Sequence, residues 1–399
     1  MITELYKLSI RMAKVFIFYM PRLPVQWSPD YRQLTLETSK CKFALYIATI
    51  FDMVFAIAGA NIYVFITRTY FDMGTPLDAD QLLLIAFGTT SIIFVQGQVV
   101  IFYRRFRVAI VGINSIFSLA EEMTRRYRPN EIDENGLYIP ANGQDLIGMA
   151  ACVVSFFFSL NPLVLTIFFL WYNIDPLDIA LDDALPDKKY WGWSTTLLAF
   201  SIRFICCQIT MGQGTQIIYH LCVIAGAVVL NLIHCMQILL NDIESEEEFL
   251  DLYIRFGLAF KLMKHLLDDI LLTTLTTGYW GIAFAIWGCL TCYNKLSVMM
   301  YLPLVSGTGT SLVALGFLFR KLKQAIEMGD EMLENKRHQS RMKLADVKTR
   351  VMQRIAKRLN ALTAVQLGFG SFYPLSTDYF MEFLNSLMAQ VVDFIVMFK

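Results

Sequence analysis

The run STTLLAFSIRFICCQITMGQGTQIIYHLCVIAGAVVLNLIHCMQILL, Ser194–Leu240, carries a single formal charge, Arg203, in 47 residues. As one helix it would reach about 70 Å at 1.5 Å per residue, more than twice the ~30 Å of bilayer hydrocarbon. It can be read as two spans broken near Gly212–Thr215, or as one span continuing into the cytosol, with a re-entrant break near Gly212 as a further alternative. The charges elsewhere in the chain decide between one span and two.

Six other apolar segments can each cross a bilayer: Phe43–Thr67, Leu82–Tyr103, Leu146–Tyr172, Asp269–Thr291, Ser297–Phe319 and Pro374–Phe398. Lysine and arginine collect on the cytosolic side of a membrane protein. The first 42 residues hold seven of them, and the next loop only Arg68. Six follow the second span, and only Lys188 and Lys189 follow the third. Arg255, Lys261 and Lys264 follow the fourth, Lys295 alone the fifth, and Arg320–Phe372 carries twelve. This alternation places 28 of the 34 basic residues inside. Splitting Ser194–Leu240 would put the twelve-charge loop outside, so it reads as one span with a cytosolic extension. The expected architecture is an all-α membrane protein with seven transmembrane helices, its N-terminus cytosolic and its C-terminus extracellular.

Composition agrees. The chain is 56% hydrophobic and 17% charged, with mean hydropathy +0.50; soluble domains carry about 25% charged residues. A net charge of zero gives nucleic-acid binding no global support. Val15–Met20 is too short for the apolar core of a signal peptide, so none is expected. Most of the 8 cysteines sit in apolar runs as small buried hydrophobes. Cys289 and Cys292 have CxxC spacing at the end of a span, where packing explains them better than redox or metal chemistry.

Two cytosolic stretches read as structured. Glu246–Leu267 spaces Phe249, Leu252, Phe256, Phe260, Met263 and Leu267 helically. Glu327–Gln366, within the 320–372 segment, contains no proline and carries Met328, Met332, Met342, Val347, Val351, Ile355, Leu359 and Leu362. These faces fit either an amphipathic helix on the membrane surface or a subunit-contact domain beneath it.

Catalytic patterns are missing. His220, His234, His265 and His338 make no metal spacing, and the chain has no GxSxG and no phosphate loop. No cofactor, metal or enzymatic activity is expected. The acidic stretch from Asp175 to Asp187 reads as a solvated loop that concentrates cations. Arg203, near the outer end of its span, reads as snorkelling to the interface.

Polar residues inside spans are costly in lipid and therefore informative. Asn161-Pro162 predicts a kink with a freed carbonyl. In the last segment, Asp378, Glu382, Ser386, Gln390 and Asp393 share one helical face. Such a stripe must face protein or water. It either packs within one subunit or lines an aqueous pore between subunits, where carboxylates favour cations.

The C-terminal stretch Gly370-Ser-Phe372-Tyr-Pro374-Leu-Ser376-Thr-Asp-Tyr-Phe380-Met-Glu-Phe-Leu-Asn385 resembles that of the insect odorant receptors. In that family a small residue and an aromatic pair precede (P/T)-(L/M/I)-S and then Phe, and the chain ends just after the last helix. The related gustatory receptors end differently, and Asn241–Asp268 leaves no room for the long insertion of the family's co-receptor. The resemblance implies a ligand-binding odorant subunit in the plasma membrane of a sensory neuron dendrite. It would act as a tetrameric, ligand-gated, non-selective cation channel, either as a homotetramer or as a heterotetramer with a co-receptor subunit. Cytosolic extensions of the later spans would form the inter-subunit anchor. The gate would lie at Phe394, with Asp393, Gln390, Met397 and Ser386 lining the pore. The ligand, a small volatile organic molecule, would bind in the outer half of the membrane. Residues available there are Phe87, Thr90, Ser91, Phe94, Asn161, Phe168, Phe169, Tyr172, Phe200, Phe204, Met299, Met300 and Tyr301. The alternative function is a transporter, or a receptor subunit without a pore of its own; no internal repeat supports a transporter.

Overall fold

The computed structural model describes residues 3–16, 23–37, 39–71, 77, 79–133, 137–139, 145–172, 175–184, 191–291, 293–294, 298–346, 349–362, 368–369, 373–374 and 379–397. The chain is all-α apart from two small hairpins. Helix α1 (Glu4–Phe16) precedes strands β1 (Val25–Trp27) and β2 (Leu34–Leu36). A rod follows: α2 (Lys40–Asp52), a π-helical turn Met53–Ala58 and α3 (Gly59–Tyr70). Next come α4 (Ala79–Tyr127), α5 (Leu146–Tyr172), the short α6 (Pro176–Ala184), α7 (Trp193–Asn241) and α8 (Glu246–Thr291). The chain ends with α9 (Val298–Asp346), α10 (Arg350–Ala361), the hairpin β3 (Gly368–Phe369) and β4 (Tyr373–Pro374), and α11 (Tyr379–Met397).

The run that opened the reading is one helix: α7 covers it in 49 residues. The same holds for α4 and α9, of 49 residues each, and for α8, of 46. Each is about 70 Å long, so in α4, α8 and α9 an apolar segment and the amphipathic stretch beside it share one rod. Among the described residues, Lys40–Tyr70, Trp193–Ile217 and Val223–Asn241 are long and apolar enough to cross a membrane.

One core gathers one end of each of these rods, amphipathic in α4, α8 and α9 and apolar in α7. It takes Ile113, Ile116 and Met123 from α4, Ile238 and Leu239 from α7, Phe249, Phe256 and Met263 from α8, and Met332 from α9. Helices α4 and α8 cross at Gly112, where a Cβ would meet the Ala259 carbonyl oxygen at 2.6 Å. Only glycine permits that approach.

The N-terminal segment, mostly unassigned in the sequence, is ordered against this core. Tyr6, Ile10 and Ala13 of α1 are buried, and the Tyr6 hydroxyl donates to the Val223 carbonyl. The β1–β2 hairpin pairs Val25 with Leu36 and Trp27 with Leu34. Asn114 of α4 holds it by accepting from the Leu34 N–H at 2.8 Å and donating to the Leu34 carbonyl at 2.9 Å. Trp27 stacks on Phe117 at 5.8 Å.

Two boundaries differ from those read in the sequence. The stretch Glu327–Gln366 is not one helix: α9 ends at Asp346, and α10 starts behind Thr349, whose hydroxyl accepts from the Met352 N–H at 3.3 Å. That side-chain bond caps a new helix. It turns Ile355 and Leu359 into the core and leaves Val351 exposed. The last helix starts at Tyr379 rather than Pro374, because Pro374 pairs with Gly368 in the second hairpin. Pro162 stays inside a continuous α5.

Candidate pore helix and the polar contacts of the bundle

Helix α11 has three distinct sides. At 100° per residue, Phe383, Leu387, Val391 and Phe394 fall on one side, and all four are buried. They rest on α8. Phe394 stacks on Phe284 with ring centroids 4.8 Å apart and tilts on Trp280 at 6.1 Å, and Tyr279 meets Phe383 edge-on at 5.7 Å. About a quarter turn away, Glu382, Ser386 and Asp393 are exposed. The Tyr279 hydroxyl donates to the Ser386 carbonyl at 2.9 Å and lies 3.1 Å from its hydroxyl, so Ser386 sits at the border of the α8 contact. The third side presents Met381, Met388, Val392 and Val396, all more than half exposed in the single chain.

The sequence-derived gate residues divide between these sides. Phe394 lies on α8, Asp393 is exposed, and Gln390 is half-buried. The side chains of Met397, Phe380 and Pro374, and all of Phe372 and Ser376, lie outside the described residues. So do the side chains of Phe87, Ser91, Phe94, Asn161, Phe168, Phe169, Tyr172, Met299 and Met300. Of the remaining candidate ligand contacts, Thr90 bonds back to the Ala86 carbonyl at 2.8 Å. Phe204 is half-buried and stacks at 6.5 Å on Phe200, which faces outward from α7. Tyr301 is half-buried.

The acidic stretch departs from its sequence reading. Asp175 and Asp178 are not solvated. They are buried at the start of α6 and grip Arg203 of α7. The Arg203 guanidinium donates to Asp175 at 3.1 Å and pairs with Asp178 at 2.8 Å. Arg203 is buried as well, so it does not snorkel. Asp183 further along α6 pairs with Arg68 at the end of α3 at 2.6 Å. Helix α6 is thereby clamped across the ends of α3 and α7.

A polar seam runs between α5 and α7. Ser155, Ser159, Pro162 and Thr166 line the buried side of α5. The Ser155 hydroxyl is 2.7 Å from the Tyr219 hydroxyl, which also reaches the Ser9 carbonyl of α1 at 3.2 Å. The Ser155 and Ser159 hydroxyls also bond back along α5, to the Ala151 and Ser155 carbonyls at 2.8 and 2.6 Å, whereas the buried Thr166 hydroxyl has no partner among the described residues. His234 of α7 is also closed in, 2.8 Å from the Thr124 hydroxyl and edge-on to Tyr138 at 5.7 Å.

At the far end of the rods, α4 and α8 are tied by charge. Arg255 forks onto Glu122 at 2.8 and 2.5 Å. That hydrogen bond holds the Glu122 carboxyl below its usual range. Arg128 reaches Asp242, at the turn between α7 and α8, at 2.5 Å. Lys336 of α9 is buried and donates to the Ile243 carbonyl of the same turn at 2.6 Å.

No protein-family model and no curated protein matches the sequence. Solved structures do match in fold. The insect olfactory receptor OR5 from Machilis hrabei, in complex with eugenol, superposes with a TM-score of 0.56 at 12% identity, covering 98% of each chain. A second structure of that receptor superposes with a TM-score of 0.51 at 12% identity, covering 97% of this chain and 96% of the other. Over nearly its full length, then, the chain has the fold of an insect olfactory receptor.

Proposed function

We propose that the chain is an odorant receptor subunit that forms a ligand-gated, non-selective cation channel with other subunits. The observation that carries this is the three-sidedness of α11. A helix with one side packed on its own subunit still needs partners for a polar side and an apolar side. A pore helix in a ring of subunits supplies both: water for Glu382, Ser386 and Asp393, and a neighbouring subunit for Met381, Met388 and Val392. Carboxylates on the water side favour cations. In this reading Phe394 acts by pinning α11 to Phe284 of α8, and its movement on that surface opens or closes the pore. Asp393 and its neighbours on that face meet the permeating ions.

Seven helices cross the membrane: the α2–α3 rod, the first part of α4, α5, the first part of α7, the second part of α8, the first part of α9, and α11. The lysine and arginine distribution supports a cytosolic N-terminus. The core-forming ends of α4, α7, α8 and α9, with α10, then form the cytosolic anchor. A small volatile organic ligand binds in the outer half among α4, α5, α7 and α9 and shifts the population toward the open pore. Eugenol, bound in the OR5 structure, is the first compound to test.

The test is to record currents in cells expressing the chain alone and with a co-receptor subunit, while a panel including eugenol is applied. Single cysteines at Ser386, Asp393, Leu387 and Phe394 are then exposed to a charged thiol reagent. Ligand-evoked cation currents are expected. Modification at positions 386 and 393, but not 387 and 394, should alter them. Absence of current under both expression conditions, from protein shown to be at the surface, overturns the channel reading. Equal modification of all four positions overturns the pore face.

A further inference from the structure

Three cations converge on one ring at the N-terminal end of the molecule. Lys7, Arg11 and Lys14 follow each other at i, i+4 and i+3 steps along α1, on one side of the helix. Their charged ends lie 6.0, 5.5 and 4.6 Å from the centroid of the Tyr31 ring. All three charges therefore fall within 6.0 Å of a single point. None is paired with an acid among the described residues. The acid adjacent in sequence to Tyr31, Asp30, is occupied: its carboxylate accepts from the Ser28 hydroxyl and, at 3.4 Å, from the Arg32 N–H.

Arg11 and Lys14 are exposed and Lys7 is half-buried, so the cluster opens onto solvent where a ligand can reach it. Like charges at these spacings destabilise a helix. Tyr31 lies under them in the left-handed region, at φ 63°, where a bulky side chain is strained. The ring is buried, so the cations cannot approach its covered face. A ring quadrupole attracts each cation weakly but does not neutralise three. The neighbouring side of α1 is fixed, with Tyr6, Ile10 and Ala13 buried and the Cys152 thiol on the Leu5 carbonyl at 3.2 Å. The helix is thereby held with its cations over Tyr31. A strained residue beneath three clustered cations with no acid among the described residues is an arrangement that an anion would complete. The missing component is an anion with several acceptor oxygens.

We infer that Lys7, Arg11, Lys14 and Tyr31 form a binding site for the phosphorylated headgroup of an anionic lipid of the inner leaflet. The lipid source rests on the orientation given under the proposed function. With the N-terminus cytosolic, α1 lies beside the cytosolic end of α5, at the leaflet that carries anionic lipid. A headgroup with more than one phosphate can reach all three charges at once, which a single carboxylate cannot.

The test uses full-length protein in nanodiscs of phosphatidylcholine, with and without a phosphoinositide, plus the soluble inositol phosphate headgroup and inorganic phosphate as separate arms. Thermal stabilisation and direct binding are read for the native chain, for Lys7→Gln/Arg11→Gln/Lys14→Gln, and for Arg354→Gln/Lys357→Gln/Arg358→Gln on the exposed basic side of α10. Each basic group near a lipid surface contributes enough that removing three should weaken binding on the order of a hundredfold. The α1 variant should lose phosphoinositide binding and the α10 variant should keep it. Equal losses in both variants would mean general attraction of a basic protein, and would overturn the site. Equal affinity for inorganic phosphate and phosphoinositide would overturn the lipid source. If the triple variant is not monodisperse, Lys14→Gln and Tyr31→Gly replace it, and unchanged binding in both again overturns the site. Ligand-evoked current is measured separately on the same variants. Lost binding specificity with intact currents removes only this site, and intact binding without currents removes only the channel reading.

Discussion

Arg203 sits on α7 between the carboxylates of Asp175, just before α6, and Asp178 in its first turn, and all three groups are buried. Burying an ion pair brings little net stability, but breaking one leaves an unpaired charge in a poorly solvated place, a cost of about 3–5 kcal/mol. Arg203→Met should therefore lower the thermal stability of the purified protein by about that amount. Adding Asp175→Asn and Asp178→Asn to it should recover most of the loss. Arg203→Lys should fall between, because an ammonium keeps the charge but its single nitrogen lacks the planar fork with which the guanidinium spans both carboxylates. Stability unchanged in Arg203→Met would show that solvent reaches the triad. Arg203 was conspicuous in the sequence as the one charge in 47 residues, but its partners were not. Nothing local distinguishes Asp175 and Asp178 from the other acids up to Asp187, since what buries them is a contact with a helix 28 residues away. Phe394 followed the same logic. Its place near the end of the chain suggested a gate, while its stacking on Phe284 depends on how α11 is turned about its axis.

At the scale of elements, the crossing of α4 and α8 is set by one missing side chain. A Cβ on Gly112 would lie 2.6 Å from the Ala259 carbonyl and 2.9 Å from the Leu262 Cβ. Neither atom is the far end of a flexible chain. Alanine normally improves an interior helix position by about 1 kcal/mol over glycine. At Gly112 the sign should reverse, because forcing the helices apart costs about 1–3 kcal/mol. Gly257→Ala on α8 provides the contrast, since its Cβ would meet nothing within 4 Å. The expected result is a lower melting temperature for Gly112→Ala and an equal or higher one for Gly257→Ala. Matching shifts in the two variants would show that α4 and α8 do not pack this closely. Of the four long rods only α7 was read as one helix, by the charge count; periodicity showed the helix carrying Phe249, Phe256 and Met263 but not that it continues into the segment after it, and the end of α4 with Ile113 and Met123 was not read at all. Periodicity could not reveal Gly112 as a contact, because a glycine inside a helix carries no pattern of its own. The break at Thr349 was hidden for a related reason. The apolar positions from Met328 to Leu362 continue across it, and only the Thr349 hydroxyl capping Met352 marks the new start. The β1–β2 hairpin escaped notice because strands of three residues are too short to show alternation; Asn114 of α4, not the strands themselves, fixes their place.

For the whole molecule, the rods pose a question of direction. In the proposed topology α4, α7, α8 and α9, each about 70 Å long, cross a bilayer that absorbs only about 30 Å, so roughly half of each rod lies outside the hydrocarbon. The projecting halves share one core and carry the ionic ties Arg255–Glu122 and Arg128–Asp242. They must therefore lie together on one side. The basic residues favour the cytosol for that side, because Arg320–Phe372 alone holds twelve of them. In that orientation α1 and the β1–β2 hairpin are cytosolic, since both rest on the projecting core. In the same proposed topology α11 leaves that side and ends on the other. A glycosylation acceptor appended after Lys399 should be modified in the secretory pathway, whereas one inserted in the segment between α9 and α10 should not. The pair of tags is informative because the fold ties the two results together. Modification between α9 and α10, with none after Lys399, would invert the molecule, place α1 with its cations outside the cell and leave the inner-leaflet site without its lipid. Modification at both positions would mean that α11 does not cross the membrane, and would remove it as a pore helix whatever the currents show.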